Sequence, residues 1–587
     1  MRETLNKTTV APPIPVLVVS GVVLSATSVV AFLGAVTVGV TWDEGAHVNI
    51  LRTYFESGWY TAAPLINGIP DPAFYFGTYV YGPMGEIIPH LVNVLTGEES
   101  LFATVSDSAM AYQGRHIGIA IQGLIGIFAV GSTVGLVTRS WKWGVLGAAL
   151  LSAVPLWTGH SMFNLKDIPP ATGYALFTMG LVALLDQRYL TDRRVRLTAL
   201  LGITSGLVLA IGGRTGLTIL FISALPLSFL FTWISSFRAR SPLHAEMRLT
   251  RKFFEGIAAY LFAYLILVAF YPKAFLNPVE VGIKSLLDSA LFPMIEAQLT
   301  NGVWMVQPVA WTYQPLWLGA QLPVLVLLFG LLYVLWWVVR VMTQFVSGSS
   351  DNATSYQLSQ TTPLLIQAFA APTAAIIGSS TLYNGTRQIL FVVPAITVLS
   401  VLGIREIAIL VQESMRNWLR RIFWGGIVVG LVVPVLGQVQ LFPYSYTYFN
   451  ALASLQPIDE RWPTDYWRAS GRELLRLTPA GGRDSCGYEQ LQKGQLFPCT
   501  EQPMFTPFLG QRGVEARPFT LQDHEYWFIR GNHGILNMPP GCRLYNSLKR
   551  PLLWQKITIG QIAICDDRVD TGVLNMIDPS QPIASTP

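Results

Sequence analysis

The feature that most constrains this chain is a repeated apolar run long enough to cross a membrane. About eleven runs have the roughly 20 residues that a helix needs to span a bilayer. They lie near 14–41, 117–138, 143–158, 169–186, 197–212, 217–235, 254–271, 321–341, 363–380, 388–405 and 422–441. Charged residues make up 12% of the chain, against about 25% in soluble domains. We therefore expect an α-helical polytopic membrane protein, and nothing in the sequence indicates binding to nucleic acid.

Two features of these runs allow more than one interpretation, namely the length of the first run and the boundary between the fifth and sixth runs. The first is too long for the apolar region of a signal peptide, so we interpret it as a retained span. The pair on either side of Gly212–Gly213–Arg214 is also compatible with a re-entrant hairpin.

The basic residues predict the orientation. Lys and Arg concentrate in segments such as 188–196 and 238–252, which lie together on the cytoplasmic side if the N-terminus is cytoplasmic. An odd number of spans then places the C-terminus outside. We accordingly predict a transmembrane domain at 1–441 and a small α+β extracytoplasmic domain at 442–587.

The four cysteines, Cys486, Cys499, Cys542 and Cys565, all follow the last apolar run. Cysteines confined to an exported tail indicate disulfides in an oxidising compartment. Local pairing, Cys486–Cys499 and Cys542–Cys565, is the favoured prediction. The alternative is free thiols in a cytoplasmic tail.

Two adjacent acids, Asp43 and Glu44, stand where the first apolar run ends. A carboxylate next to hydrocarbon is unfavourable unless it meets water, a partner or a substrate. The residues that follow have the apolar spacing of an amphipathic juxtamembrane helix. A helix N-cap explains one acid, and a catalytic or binding role explains both.

Further charges are predicted on the same outer face. His160, Lys166 and Asp167 lie between two predicted spans, and Arg214 and Arg387 each lie at the outer end of a span. Lys166 and Asp167 are compatible with a simple pair, and Arg214 with a salt bridge to an outer-loop acid. Arg387 can also snorkel to lipid headgroups. Carboxylates together with cations suit chemistry on a lipid phosphate, because an acid activates the nucleophile and cations stabilise the departing phosphate.

The order of these motifs resembles the GT-C superfamily of polyprenyl-phosphate-dependent glycosyltransferases. The likeness is to the branch with protein O-mannosyltransferases and lipid A aminoarabinose transferases. The motifs are TWDEGAHV (41–48), GRHIGIAIQGLIG (114–126), FNLKDIPPATGYALF (163–177), GGRTGLTIL (212–220) and NGTRQILFVVPAITVLSVLGI (384–404). FPYSYTYFNALAS (442–454) and TDYWRASGREL (464–474) are similar to a tail found in bacterial members. The resemblance implies a multi-pass protein of the bacterial plasma membrane.

The resemblance also implies roles for individual residues. Asp43 is the expected general base, Glu44 its helper, and Asp167 the second acid of the site. The expected donor-phosphate ligands are Arg214, Arg387, Arg115 and Lys166. His47 and His160 are candidate substrate-binding residues. Relatives often have Arg-His where this chain has Arg387–Gln388, which leaves the local hydrogen bonding open.

The implied reaction transfers a sugar from a polyprenyl phosphate to a hydroxyl of a glycan, lipid or protein, with inversion at the anomeric carbon. A divalent cation, Mg²⁺ or Mn²⁺, on Asp43 and Asp167 is compatible with this chemistry, although the sequence shows no dedicated cage. The alternative function is transport or flipping of a lipid-linked or anionic substrate. Transporters usually show related halves, and no internal repeat is evident.

Overall fold

The computed structural model describes residues 10–56, 81–102, 105–238, 243–292, 297–347, 352–414, 416–478, 486–490, 495–498, 506–509, 525–531 and 542–566. Within these ranges, nine helices are long and apolar enough to cross a membrane. They are Ile14–Thr37, Ala109–Thr138, Ile168–Leu185, Arg193–Gly213, Thr215–Ser235, Arg248–Phe270, Val324–Gln344, Arg387–Glu413 and Asn417–Leu441. The polytopic helical class is thereby confirmed.

The predicted number of about eleven spans is not confirmed. The run at 143–158 is divided into Trp141–Ser152 and Pro155–His160, because Pro155 has no N–H to continue a helix. The run at 363–380 contains a π-helical turn, Ile366–Ala370, between two shorter α-helices. Arg193–Gly213 and Thr218–Arg238 are separate long helices, which disfavours a re-entrant hairpin at Arg214.

The helices that position the candidate site are α1 (Ile14–Thr37), α2 (Glu44–Glu56), α3 (Ile87–Thr96) and α4 (Ala109–Thr138). They are followed by α5 (Trp141–Ser152), α6 (Pro155–His160), α7 (Ile168–Leu185) and α8 (Arg193–Gly213). Later in the chain come a 3₁₀ turn at Arg387–Val392 and the helix Val393–Ser414.

Helix α7 is the most interior of the nine spans. Its apolar window is 94% buried, against 28% for α1, so α7 is surrounded by protein whereas α1 is largely lipid-facing. Gly173 and Gly180 of α7 allow α8 to approach it closely. A Cβ at Gly180 would lie 2.5 Å from the backbone nitrogen of Ile203, and one at Gly173 would lie 2.5 Å from that of Ala210. The turn before α7 is therefore held by a rigid pair of helices.

The predicted juxtamembrane helix is present as α2. Its buried side is formed by Val48, Leu51 and Tyr54, in agreement with the amphipathic pattern. The segment that follows the last span lies next to the turn between α1 and α2. The Gly39 amide donates to the Ala469 carbonyl at 3.0 Å, and the Trp42 amide donates to the Trp467 carbonyl at 3.4 Å.

The C-terminal region contains a five-stranded sheet, and the strands are numbered in chain order. Strands β1 (Gln298–Thr300) and β2 (Val303–Met305) lie earlier in the chain and form a separate short hairpin. The sheet strands are β3 (Cys486–Gln490), β4 (Gln495–Pro498), β5 (Glu525–Gly531), β6 (Cys542–Leu552) and β7 (Gln555–Asp566). The strand order in the sheet is β4-β3-β5-β7-β6. Strands β3 and β5 are parallel, and the other neighbouring strands are antiparallel.

The sheet bears on the predicted disulfides. Cys542 lies directly opposite Cys565 in the β6–β7 register. Residues opposite each other in antiparallel strands have Cα atoms about 4.5–5.5 Å apart, which suits a disulfide. Cys499 lies outside the described residues, and the register shows only that Cys542 and Cys565 are adjacent, so both pairings stay predictions. The last span ends at Leu441, and the division into domains at 441/442 also stays a prediction.

Candidate functional site

Asp43 lies in the turn between α1 and α2 and faces two cations. Its Oδ2 is 3.1 Å from Lys166 Nζ and 3.3 Å from Arg387 Nη1. The Asp43 side chain keeps 23% of its surface exposed, whereas that of Arg387 keeps 3%. This carboxylate is therefore the accessible member of a largely buried cluster.

Asp167 forms the second acidic position, at the turn before α7. Its Oδ1 is 3.2 Å from Arg214 Nη1, and its Oδ2 accepts from the Asn164 amide at 3.1 Å. The Asp167 backbone N–H donates to Asn164 Oδ1 at 2.9 Å. Asn164 thus fixes both the backbone and the carboxylate of Asp167.

The Asn164 side chain also orients His160. Its amide lies 2.9 Å from His160 Nδ1, and His160 Nε2 lies 3.2 Å from the Tyr466 hydroxyl. Since the amide donates, Nδ1 accepts and Nε2 carries the proton. Burial lowers the pKa of His160 to about 3, although Asp167 acts in the opposite direction. The imidazole is therefore a neutral link between the α7 turn and the segment after the last span.

The Tyr81 ring lies next to two of the three cations. Lys166 Nζ is 4.6 Å from the centre of its ring and Arg214 Cζ is 5.8 Å from it. A backbone β-bridge pairs Tyr81 with Arg214, and the His47 ring meets the Tyr81 ring edge-on at 5.3 Å. The negative face of an aromatic ring attracts cations, so Tyr81 holds Lys166 and Arg214 on one side of the site.

Arg387 is held by two further aromatic rings. Its Cζ is 4.7 Å from the ring centre of Tyr383 and 4.7 Å from that of Trp467. Among the described residues, its Nε has no hydrogen-bond partner. This buried guanidinium is therefore rigidly placed with part of its donor capacity unused.

The electrostatics of Asp43 follow from these contacts. Burial opposes its negative charge, but Lys166, Arg387 and His47 outweigh burial and lower its pKa from 3.8 to about 2. Burial also opposes the charge of Lys166, yet Asp43 raises the pKa of that ammonium above its usual value. Three cations, Lys166, Arg214 and Arg387, face two carboxylates. The cluster therefore carries one positive charge in excess and attracts an anion.

Two residues predicted for the site have other partners. Glu44 Oε2 is 2.7 Å from His116 Nε2, and its Oε1 accepts from the Thr41 amide at 2.6 Å and hydroxyl at 2.8 Å. Glu44 therefore fixes the turn that presents Asp43. His47 Nδ1 is 3.1 Å from Glu86 Oε1, and the His47 ring contacts the Tyr81 ring.

Arg115 belongs to a separate buried cluster. It pairs with Glu99 and donates to the Ser106 carbonyl at 2.6 Å. Glu99 also lies 2.7 Å from His90 Nδ1. The structure thus does not bring Arg115 together with Lys166, Arg214 and Arg387, and its predicted contact with phosphate stays a prediction.

The arrangement of the acids does not fit a divalent cation. Asp43 is paired with Lys166 and Arg387, and Asp167 with Arg214, so the charge of each carboxylate is already compensated. Among the described residues, no group of three His, Cys, Asp or Glu side chains has a metal-binding arrangement.

Sequence reasoning missed several members of the site, namely Tyr81, Asn164, Tyr383, Tyr466 and Trp467. Asn164, Tyr466 and Trp467 lie inside motifs quoted above, FNLKDIPP and TDYWRAS. An aromatic residue in a polar tail motif was an available signal for Trp467. Nothing in the local sequence distinguishes Tyr81 or Tyr383 from other aromatic residues.

No protein-family model matches the chain, and no curated protein sequence matches it either. Among solved structures, it is similar to ArnT from Cupriavidus metallidurans in the apo state. The identity is 14% and the TM-score 0.45, over 92% of this chain and 97% of that chain. The same protein bound to undecaprenyl phosphate gives 14% identity and a TM-score of 0.45, over 94% of this chain and 98% of that one.

An oligosaccharyltransferase from Archaeoglobus fulgidus, in complex with Zn and sulfate, is similar at 14% identity and a TM-score of 0.40. That likeness covers 85% of this chain and 59% of the other. Because identity and TM-score are low, the function proposed below rests on the residues of the site.

Proposed function

We propose that the protein is a membrane glycosyltransferase of the GT-C type that transfers a sugar from a polyprenyl phosphate to an acceptor hydroxyl. The observation that carries the proposal is the placement of Lys166, Arg214 and Arg387 around Asp43 and Asp167 at one membrane end. The excess positive charge suits a phosphate, and the exposed carboxylate of Asp43 suits a hydroxyl.

The ion pairs of Asp43 suggest how donor binding activates the base. A non-bridging oxygen of the donor phosphodiester competes with Asp43 for Lys166 and accepts from the unused Nε of Arg387. Arg387 is well shaped for this contact because guanidinium binds phosphate bidentately. As the cations turn to the phosphate, the pKa of Asp43 rises from about 2 towards its ordinary value, since nearby positive charge was holding it down. A stronger base is then present only when the donor is bound.

The transfer step conserves atoms and charge. The acceptor oxygen attacks the anomeric carbon and forms the new glycosidic bond while its proton moves to Asp43. The bond between that carbon and the phosphate oxygen breaks, and the polyprenyl phosphate departs with the electron pair. Lys166, Arg214 and Arg387 stabilise the charge that develops on it. Attack from the face opposite the phosphate inverts the anomeric centre.

The segment after the last span contributes to the same site. Trp467 packs on Arg387, and Tyr466 contacts His160. Buried Asp465 accepts hydrogen bonds from Tyr446 and from the Ala469 amide, the latter at 3.0 Å. We propose that this segment positions the phosphate ligands from one side of the site. We further propose that the site is extracytoplasmic, with the N-terminus in the cytoplasm.

The decisive test compares Asp43→Asn with a matched surface variant, Asp107→Asn. The probe is radiolabelled sugar on undecaprenyl phosphate, supplied as a panel of hexose and pentose donors to the purified full chain. We expect Asp43→Asn to reduce transfer or donor hydrolysis by about 10²- to 10⁴-fold, the range of a lost general base.

Asp107 pairs with Arg52 at 2.7 Å and its side chain is 60% exposed, so Asp107→Asn should keep full turnover. Equal turnover in Asp43→Asn and the unmodified chain would remove Asp43 as the base. Vesicle transport that survives Asp43→Asn, without turnover of any donor, would favour a transporter.

A further inference from the structure

A cavity lies far from the Asp43 cluster, between α4, α7 and α8. It has a volume of about 640 Å³. His116, beside Glu44, and Thr138, at the end of α4, are separated by 22 residues of helix, which corresponds to about 33 Å. The cavity is therefore at the opposite membrane end from the proposed active site.

The walls of the cavity are apolar and belong to membrane-spanning helices. Phe128 from α4 and Leu201 from α8 line it. These two residues keep 67% and 64% of their surface exposed. Gly135 leaves part of the groove open, because a Cβ there would meet only the Ser140 carbonyl at 3.9 Å. Apolar residues exposed on spanning helices face lipid, so the groove opens towards acyl chains.

One end of the groove is cationic. Arg139 and Arg188 both line it. Arg188 is neutralised by Asp186 at 2.7 Å, but the guanidinium of Arg139 donates to the neutral amide of Gln187 at 2.9 Å. Arg194 is exposed and lies one turn before Thr198 and two turns before Leu201 on α8, which places it on the groove side of that helix.

We propose that this groove binds one anionic phospholipid. The headgroup phosphate lies at Arg139 and Arg194, because Arg139 and Arg188 share the one carboxylate of Asp186 and leave an excess positive charge. An acyl chain lies along Phe128 and Leu201. A zwitterionic lipid fits the apolar part equally well but gains less from the two arginines. The site is independent of the proposed glycosyl transfer, because it shares no residue with the Asp43 cluster.

The test is native mass spectrometry of the full chain released from nanodiscs that contain equal amounts of phosphatidylglycerol and phosphatidylcholine. We expect preferential retention of one phosphatidylglycerol by the unmodified chain. Arg139→Gln should lower that retention about fivefold, the factor for one basic residue near an anionic surface. Arg139→Lys should restore most of it, because it keeps the charge and the same backbone.

Two further variants sharpen the result. Gly135→Leu should displace both lipids by filling the groove while leaving Arg139 in place. Arg420→Gln is the matched control, because Arg420 is a partly exposed arginine at the start of the last span and does not line the cavity. Equal retention of the two lipids by the unmodified chain, or equal phosphatidylglycerol retention in Arg139→Gln and Arg420→Gln, would overturn the proposal.

Discussion

Two buried ionic clusters lie near the same membrane end of this protein and differ in what they leave accessible. In the Arg115 cluster, the side chains of Glu99 and Arg115 are 0% and 1% exposed, and His90 completes the set. In the Asp43 cluster, the cations exceed the acids and Asp43 keeps 23% of its side-chain surface.

A closed ion pair fixes a fold, because its charges are not accessible to a ligand. An open pair with excess charge can exchange its acid for a ligand. We therefore infer that the Arg115 cluster stabilises the fold and that the Asp43 cluster can bind a ligand. Three variants test this difference.

The largest effect on stability is expected from Glu99→Ala. The variant leaves Arg115 buried without its carboxylate, and breaking a buried pair costs about 3–5 kcal/mol. The neighbouring acid Glu98 accepts from the Ser108 hydroxyl at the surface, so Glu98→Ala should cost less than about 1 kcal/mol. Chemical denaturation of the two variants gives the difference. Equal and small losses would show that the Arg115 cluster is as open as the Asp43 cluster.

An intermediate effect is expected when Asp43 is titrated. Its pKa is lowered from 3.8 to about 2 in the fold, so its charged form stabilises the folded state. That stabilisation is complete above pH 3.8 and is lost as the pH falls towards 2, and it amounts to about 2 kcal/mol. Thermal unfolding at stepped pH should show this loss in the unmodified chain and a flatter profile in Asp43→Asn. Parallel profiles would mean that the two cations do not act on Asp43.

The smallest effect is expected from Arg387→Lys. Lysine keeps the charge but lacks the planar guanidinium that packs between Tyr383 and Trp467, and it cannot bind phosphate bidentately. We expect undecaprenyl phosphate to bind about tenfold more weakly, a loss of about 1.4 kcal/mol. Arg52→Lys is the control, since Arg52 pairs with Asp107 away from the Asp43 cluster. Unchanged affinity in Arg387→Lys would argue that Arg387 acts only as a charge.

Much of the architecture follows from local sequence. Hydrophobicity is a property of consecutive residues, so apolar runs predict the membrane helices, and the spacing after Asp43 predicts α2. The breaks at Pro155 and at Ile366–Ala370 were not predicted, because the tolerance of a helix for proline depends on what its neighbours offer.

The sequence by itself determined the class of the protein and placed Asp43, Lys166, Asp167, Arg214 and Arg387 at the ends of predicted spans. Only the tertiary structure decided which of these charges meet. Asp43 and Arg387 are 344 residues apart in the chain, whereas adjacent Asp43 and Glu44 face different partners. Trp467 likewise reaches the site only through the tertiary structure, which packs it on Arg387. Contacts between distant residues depend on how whole helices pack, and that packing is not encoded in any local pattern.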